Sequence, residues 1–185
     1  MKDFSIFEQA LRFSSVANTE NLGEIASLAR RDFVDHESFI FHTTTASVEY
    51  ASLMIENGIL LRTNRSGRVY SGVEKLSALQ PIMDRYMRIA DVSEVVYLFG
   101  QDDWQPPRHP NIRLITLDQD FRLAREWFVI THSSSLSCAL VAFDEAGPES
   151  MPEQIRYWAL KTSNSNVVGV LANAVEGVID WSLAA

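Results

Sequence analysis

The sequence predicts an α/β fold: a mixed sheet of about five strands covered by helices on both faces, with an N-terminal helical extension. Three observations carry this reading. The runs 95–99 (Val-Val-Tyr-Leu-Phe), 127–130 (Trp-Phe-Val-Ile) and 138–143 (Cys-Ala-Leu-Val-Ala-Phe) are apolar without alternation, as expected of strands buried on both faces. The connector 132–137, His-Ser-Ser-Ser-Leu-Ser, is short and rich in hydroxyls, so it joins the last two runs as an antiparallel hairpin. Segments of helical periodicity lie before and after these runs and supply the two covering layers.

In chain order, Phe4, Phe7, Leu11 and Val16 recur at helical spacing. Asn21 with Glu24 reads as a capping box opening a second helix through Leu22, Ile25, Leu28 and Ala29. Together they form an extension, residues 1–35, with the main domain at 36–185. The pair is expected to serve docking or dimerisation, because no basic recognition helix follows it. Phe39 to Phe41 reads as a short strand. Thr43, Thr44 and Thr45 cap a helix through Val48, Ala51, Ser52 and Ile55, terminated at Asn57 and Gly58. A polar loop over 63–68 leads to Val69 and Tyr70, the start of an edge strand, and a second capping box, Ser71 with Glu74, begins a helical turn. Pro81 restarts or kinks the helix bearing Ile82, Met83, Tyr86 and Ile89. After 95–99, closed by Gly100, comes a stiff loop with Pro106 and Pro107, then a strand nearer an edge at 112–117. Beyond the hairpin and a loop at 146–150, Asn164 caps a final helix whose stripe of Val167, Val168, Leu171, Val175, Val178 and Ile179 covers one sheet face.

Composition narrows the function. With 16 Lys and Arg against 24 Asp and Glu the net charge is −8, which opposes phosphate backbones and argues against nucleic-acid binding. No segment approaches the 18 or so uninterrupted apolar residues of a membrane helix, the N-terminus has no apolar secretion signal, and the single cysteine, Cys138, rules out a disulfide within the chain. A cytoplasmic location is expected.

Signals of chemistry are sparse. Asp103, Asp118 and Asp120 follow predicted strands, where converging carboxylates would hold Mg²⁺ for phosphate processing; aspartates there also serve as turn residues. His36, His42, His109 and His132 show no metal-ligand spacing, and no metal site or cofactor is expected. Nucleotide-binding glycine loops are absent from the sequence. Cys138 sits within an apolar run, as a small hydrophobe does. Glu126, beside a fully apolar strand, needs a partner if buried, and Arg85 or Arg125 is the expected one.

These pieces fall in an order that resembles the DICT family, the sensory domain named for its occurrence with diguanylate cyclases and two-component proteins, chiefly in cyanobacteria, other bacteria and haloarchaea. The resemblance runs from about residue 39 to 179: His42-Thr-Thr-Thr45, the helix ending near Glu56, Arg85-Tyr86, 95–100, the stretch 120–129 with Glu126-Trp127-Phe128-Val129, and Ala-Leu-Val-Ala at 139–142. It departs at 157–162, where Tyr-Trp-Ala-Leu-Lys-Thr stands in place of an aromatic-x-Gly-x-Trp-Thr motif. The resemblance implies a non-enzymatic signal-input module with no transferable catalytic residue. Candidate ligand-binding residues within its motifs are Thr44, Thr45, Arg85, Tyr86, Glu126 and Trp127. The expected partner is a small ligand or a signalling protein, with homodimerisation through the N-terminal helices a candidate arrangement. A stand-alone module without an output domain is expected, acting by binding a partner. The alternatives are the Mg²⁺-dependent enzyme and a pure scaffold.

Overall fold

In the computed structural model, residues 2–14, 18–62, 67–147, 151 and 154–184 are described. Val16, the 63–66 part of the polar loop and 148–150 lie outside them. The described residues form one mixed sheet with helices on both faces, the predicted class, but the sheet has eight strands instead of about five. The elements are α1 (Ile6–Ser14), β1 (Glu20–Ile25), α2 (Arg30–Asp35), β2 (Ser38–Thr43), α3 (Thr45–Leu60) and β3 (Arg68–Lys75). A 3-10 turn (Leu76–Ile82) leads into α4 (Met83–Asp91), then β4 (Val95–Gln101) and β5 (Ile112–Thr116). A second 3-10 turn (Arg122–Arg125) precedes β6 (Glu126–His132), β7 (Ser137–Asp144), β8 (Tyr157–Thr162) and α5 (Ser165–Ala184).

The strand order is β1-β2-β8-β7-β6-β3-β4-β5. β6 and β7 form the expected antiparallel hairpin, with Val129 opposite Leu140 and Phe128 opposite Val141. The third apolar run, β4, lies in the same sheet, but β3 stands between it and β6. Val69 and Tyr70 thus begin a central strand and not an edge. Ser71 and Glu74 lie inside β3, so no capping box forms there, and the helical turn starts at Leu76.

Gly72 explains the weak strand signal of β3. It pairs with Phe128 of β6, and a Cβ built on it would collide with the buried Phe128 ring. Absence of a side chain at 72 is what lets that aromatic lie across the sheet. Gly72→Ala is expected to cost about 1–3 kcal/mol through overpacking, measured by urea denaturation.

β1 is a second correction. Asn21 does not cap a helix: its Oδ1 accepts the Gly23 N–H at 2.9 Å, and 20–25 pairs in parallel with β2. The extension therefore contributes α1, an edge strand and α2, not a pair of helices. α1 has an apolar face of Ile6, Phe7 and Ala10, all buried. α3 runs through Asn57 and Gly58 to Leu60, past the terminator read from the sequence. Asn164 does cap α5, its Oδ1 accepting the Val167 N–H at 3.3 Å.

Strand alternation divides the core in two. One side packs Phe41, Val96, Leu98, Val129, Leu140 and Ala159 under α3 and α4; the other packs Phe99, Phe128, Ile130, Val141 and Leu160 under α1 and α5. Among the described residues no helix is long and apolar enough to cross a membrane.

Candidate functional site

The sequence marks the two faces of β6 through neighbouring residues. Trp127 points to the α3 side, where its Nε1–H donates to Ser52 Oγ at 3.0 Å. Glu126 points to the α1 side. Around Trp127 lie two adjacent clefts of about 510 and 460 Å³, which share Glu49, Val73, Ala78 and Trp127 in their walls. Both volumes fall in the range of small-molecule sites.

The first cleft is polar. Thr45 and Glu49 of α3, Glu74 and Lys75 of β3, Arg125, Asp144 and Arg156 border it, with Trp127 and Tyr157 as aromatic walls. Arg156 clamps Asp144 through both carboxylate oxygens, at 3.0 and 2.7 Å. Burial works against the Asp144 charge, but Arg156 and the Gly147 N–H more than offset it and hold the carboxyl below its ordinary range.

The second cleft is more apolar and lies between α3 and the 3-10 turn leading into α4. At its base sits Glu56, with only 2% of its side chain exposed. Arg85 donates to Glu56 Oε2 at 2.7 Å, and Tyr86 O–H donates to Oε1 at 2.9 Å. Since the single Tyr86 proton is so used, Ser71 Oγ, 2.7 Å from the tyrosine oxygen, is the donor in that bond. Burial, reinforced by the Glu56 charge, pushes the Tyr86 hydroxyl well above its ordinary pKa. The network is fully satisfied, as a buried charge requires.

Neither Arg85 nor Arg125 pairs with Glu126, contrary to the sequence expectation. Arg85 is held by Glu56, and Arg125 donates to the Asp144 carbonyl at 2.8 Å. Glu126, 1% exposed, instead receives the start of α1. Its Oε2 accepts the N–H groups of Ile6 and Phe7 at 2.9 and 3.0 Å, and Ser5 Oγ lies 2.5 Å from Oε1. A carboxylate supplied from elsewhere in the chain thus satisfies the orphan donors of a helix N-terminus. Burial pushes the Glu126 carboxyl up to about 7, against the opposing hydrogen bonds of Ser5, Phe7 and Ile6 and the charge of Arg122. Arg122 also pairs with Glu8 at 2.7 Å, and Lys2 pairs with Asp120. Phe7 packs edge-on to Trp158 and stacks with Phe143.

Of the six residues read from the sequence, Thr45 and Trp127 border the first cleft, and Arg85, Tyr86 and Trp127 the second. Thr44 is the N-cap of α3, accepting the Ser47 N–H. Glu126 borders the first cleft, but its carboxylate is spent on the opposite face. Glu56, Ser71 and Arg156 were missed. Glu56 had a readable signal: it falls on the same helical stripe as Val48, Ser52, Ile55 and Ile59, where a carboxylate needs a partner. The aspartates read as metal ligands are engaged in other contacts: Asp118 and Asp120 both act on Lys2. Asp103 accepts Ser77 N–H and O–H at 2.9 and 2.5 Å, Asp120 takes Lys2, and no group of three potential metal ligands occurs among the described residues.

The chain folds as an α/β domain with two clefts of small-molecule size beside its sheet. The model of the DICT family, described as "Sensory domain in DIguanylate Cyclases and Two-component system", matches residues 44–145, more than half of the chain. The chain belongs to this family. The match spans α3 through β7 and includes all six candidate residues; α1, β8 and α5 lie outside it. No curated protein and no solved structure matches the chain.

Proposed function

We propose that this chain is a non-catalytic, cytoplasmic signal-input module that takes a small ligand into the paired clefts at Trp127 and transmits by protein–protein interaction through α1. One observation carries the reading: Trp127 walls both clefts, while its chain neighbour Glu126 holds the N-terminus of α1 from the other face of the same strand. A displacement of β6 by ligand contact at Trp127 then changes the seating of α1, the differential contact that a two-state response requires. Thr45, Arg85, Tyr86 and Trp127 contact the ligand, Thr44 sets the entry of α3, and Glu126 relays. Release of α1 would uncover Phe143 and Trp158 for a signalling partner.

Ala78 borders both clefts and is exposed, so Ala78→Trp fills the space without disturbing the core. Native mass spectrometry of the wild type is expected to detect a retained small molecule that Ala78→Trp loses at unchanged stability. Identical spectra from the two proteins would contradict ligand capture here.

A further inference from the structure

A third cleft, of about 270 Å³, opens on the same sheet face between α2, α3 and the ends of β7 and β8. Its walls include Phe33, Met54, Ile55, Leu136 and Cys138, with the hydroxyls of Ser137 and Ser163 at its border, and among the described residues its one ionised wall group is Lys161. Lys161 is 2% exposed on a strand whose other residues are also mostly buried. The Nζ donates to the carbonyls of His36 and Glu37 at 2.8 and 3.4 Å, and lies over the rings of Phe33 and Phe39 at 4.9 and 5.8 Å. The two carbonyls take two of its three N–H groups and the ring faces lie over the cation, but none of these partners carries a net negative charge. The titratable groups that act on it are Glu37, which is exposed, and the Cys138 thiol, which burial keeps protonated and neutral; burial nonetheless lowers the amine's pKa. A buried ammonium with no carboxylate bonded to it, at the wall of an apolar cleft, is an incomplete ion pair.

We infer that this cleft binds a small carboxylate with a compact apolar body, its carboxylate completing the Lys161 ion pair and its body covering Phe33, Ile55 and Leu136. The site is separate from the Trp127 clefts and does not depend on the reading of them. The charge selects the ligand class: an amine would place two cations together, and an alcohol would leave the lysine uncompensated. A role confined to tying the corner between α2 and β2 would also use Lys161, and the test separates the two.

Cys138 is the single cysteine and lines the cleft, so its alkylation by N-ethylmaleimide reports occupancy. Hexanoate, 1-hexanol and hexylamine serve as probes. Hexanoate is expected to slow alkylation saturably, about tenfold at ten times its Kd, with the alcohol and amine at least several times weaker. Lys161→Met, which keeps the stem's packing, should lose the hexanoate effect, and Lys161→Arg should retain it. Equal protection by hexanoate and hexanol, no protection by hexanoate, or full protection in Lys161→Met would each overturn the assignment. The wild-type comparison alone decides the matter if Lys161→Met does not fold.

Discussion

Glu126→Ala is expected to destabilise the protein by about 3–4 kcal/mol at neutral pH, because it strands three donors at once. The Ile6 and Phe7 N–H groups lose their acceptor, and Ser5 loses its partner, in a site that is 1% exposed. Glu126→Gln is expected to stay within about 1 kcal/mol of the wild type, since its amide oxygen accepts the two N–H groups and its NH₂ donates to Ser5 Oγ. Urea denaturation measures both, and an Ala variant as stable as the Gln variant would contradict the cap.

The same residue sets a pH dependence whose sign is fixed. The carboxyl stands at about 7 in the folded protein against an ordinary 4.5, so the folded state holds a proton that the unfolded chain releases between those values. The extra stability conferred by that proton is fully present below about 4.5, falls as pH rises, and is gone above about 7, a loss on the order of 3 kcal/mol, while the hydrogen bonds from Ile6 and Phe7 persist. Glu126→Gln removes that slope, so the wild-type-minus-variant stability difference should change only across this window.

The second large effect is Arg85→Met, expected to cost about 2–4 kcal/mol. Glu56 keeps Tyr86 but loses its counter-ion at a position where its side chain is 2% exposed. The cost falls short of a fully buried pair's because 31% of the Arg85 side chain meets solvent. Glu56→Met combined with Arg85→Met should recover much of the loss, since the uncompensated charge is then gone. Thermal denaturation of the single and double variants checks this, and a double variant weaker than the sum of its parts would refute the assignment of the cost to a stranded charge.

How far the sequence could be read follows from which residues carry the signal. The β6–β7 hairpin was legible because 127–130 and 138–143 are unbroken apolar runs, and α5 because Asn164 and its valine and leucine stripe are both present. β8 was missed because Lys161 interrupts a strand that is nonetheless buried, its ammonium hydrogen-bonded to two carbonyls that no local pattern reveals. β3 was misplaced because Ser71, Gly72 and Glu74 dilute its apolar character, and Gly72 is there for the Phe128 ring across the ladder. β1 was misread as a helix because Asn21 and Glu24 satisfy the spacing of a capping box while Asn21 serves a local turn. Trp127, Arg85 and Tyr86 were legible as a motif. The partner of Glu126 was not, since it comes from residues 5–7, far away in the chain and on an element with no sequence link to β6.

In the proposed function the clefts on one face of β6 and the α1 seat on the other respond together. Amide hydrogen exchange of wild type and Trp127→Ala tests it most directly, read at Ile6 and Phe7, with the buried stretch of α5 around Leu171 as the control. At least about tenfold faster exchange is expected at Ile6 and Phe7 in Trp127→Ala while Leu171 is unchanged, a local opening without global loss of stability. Exchange at Ile6 and Phe7 that matches the wild type, or that rises only in step with Leu171, would contradict it.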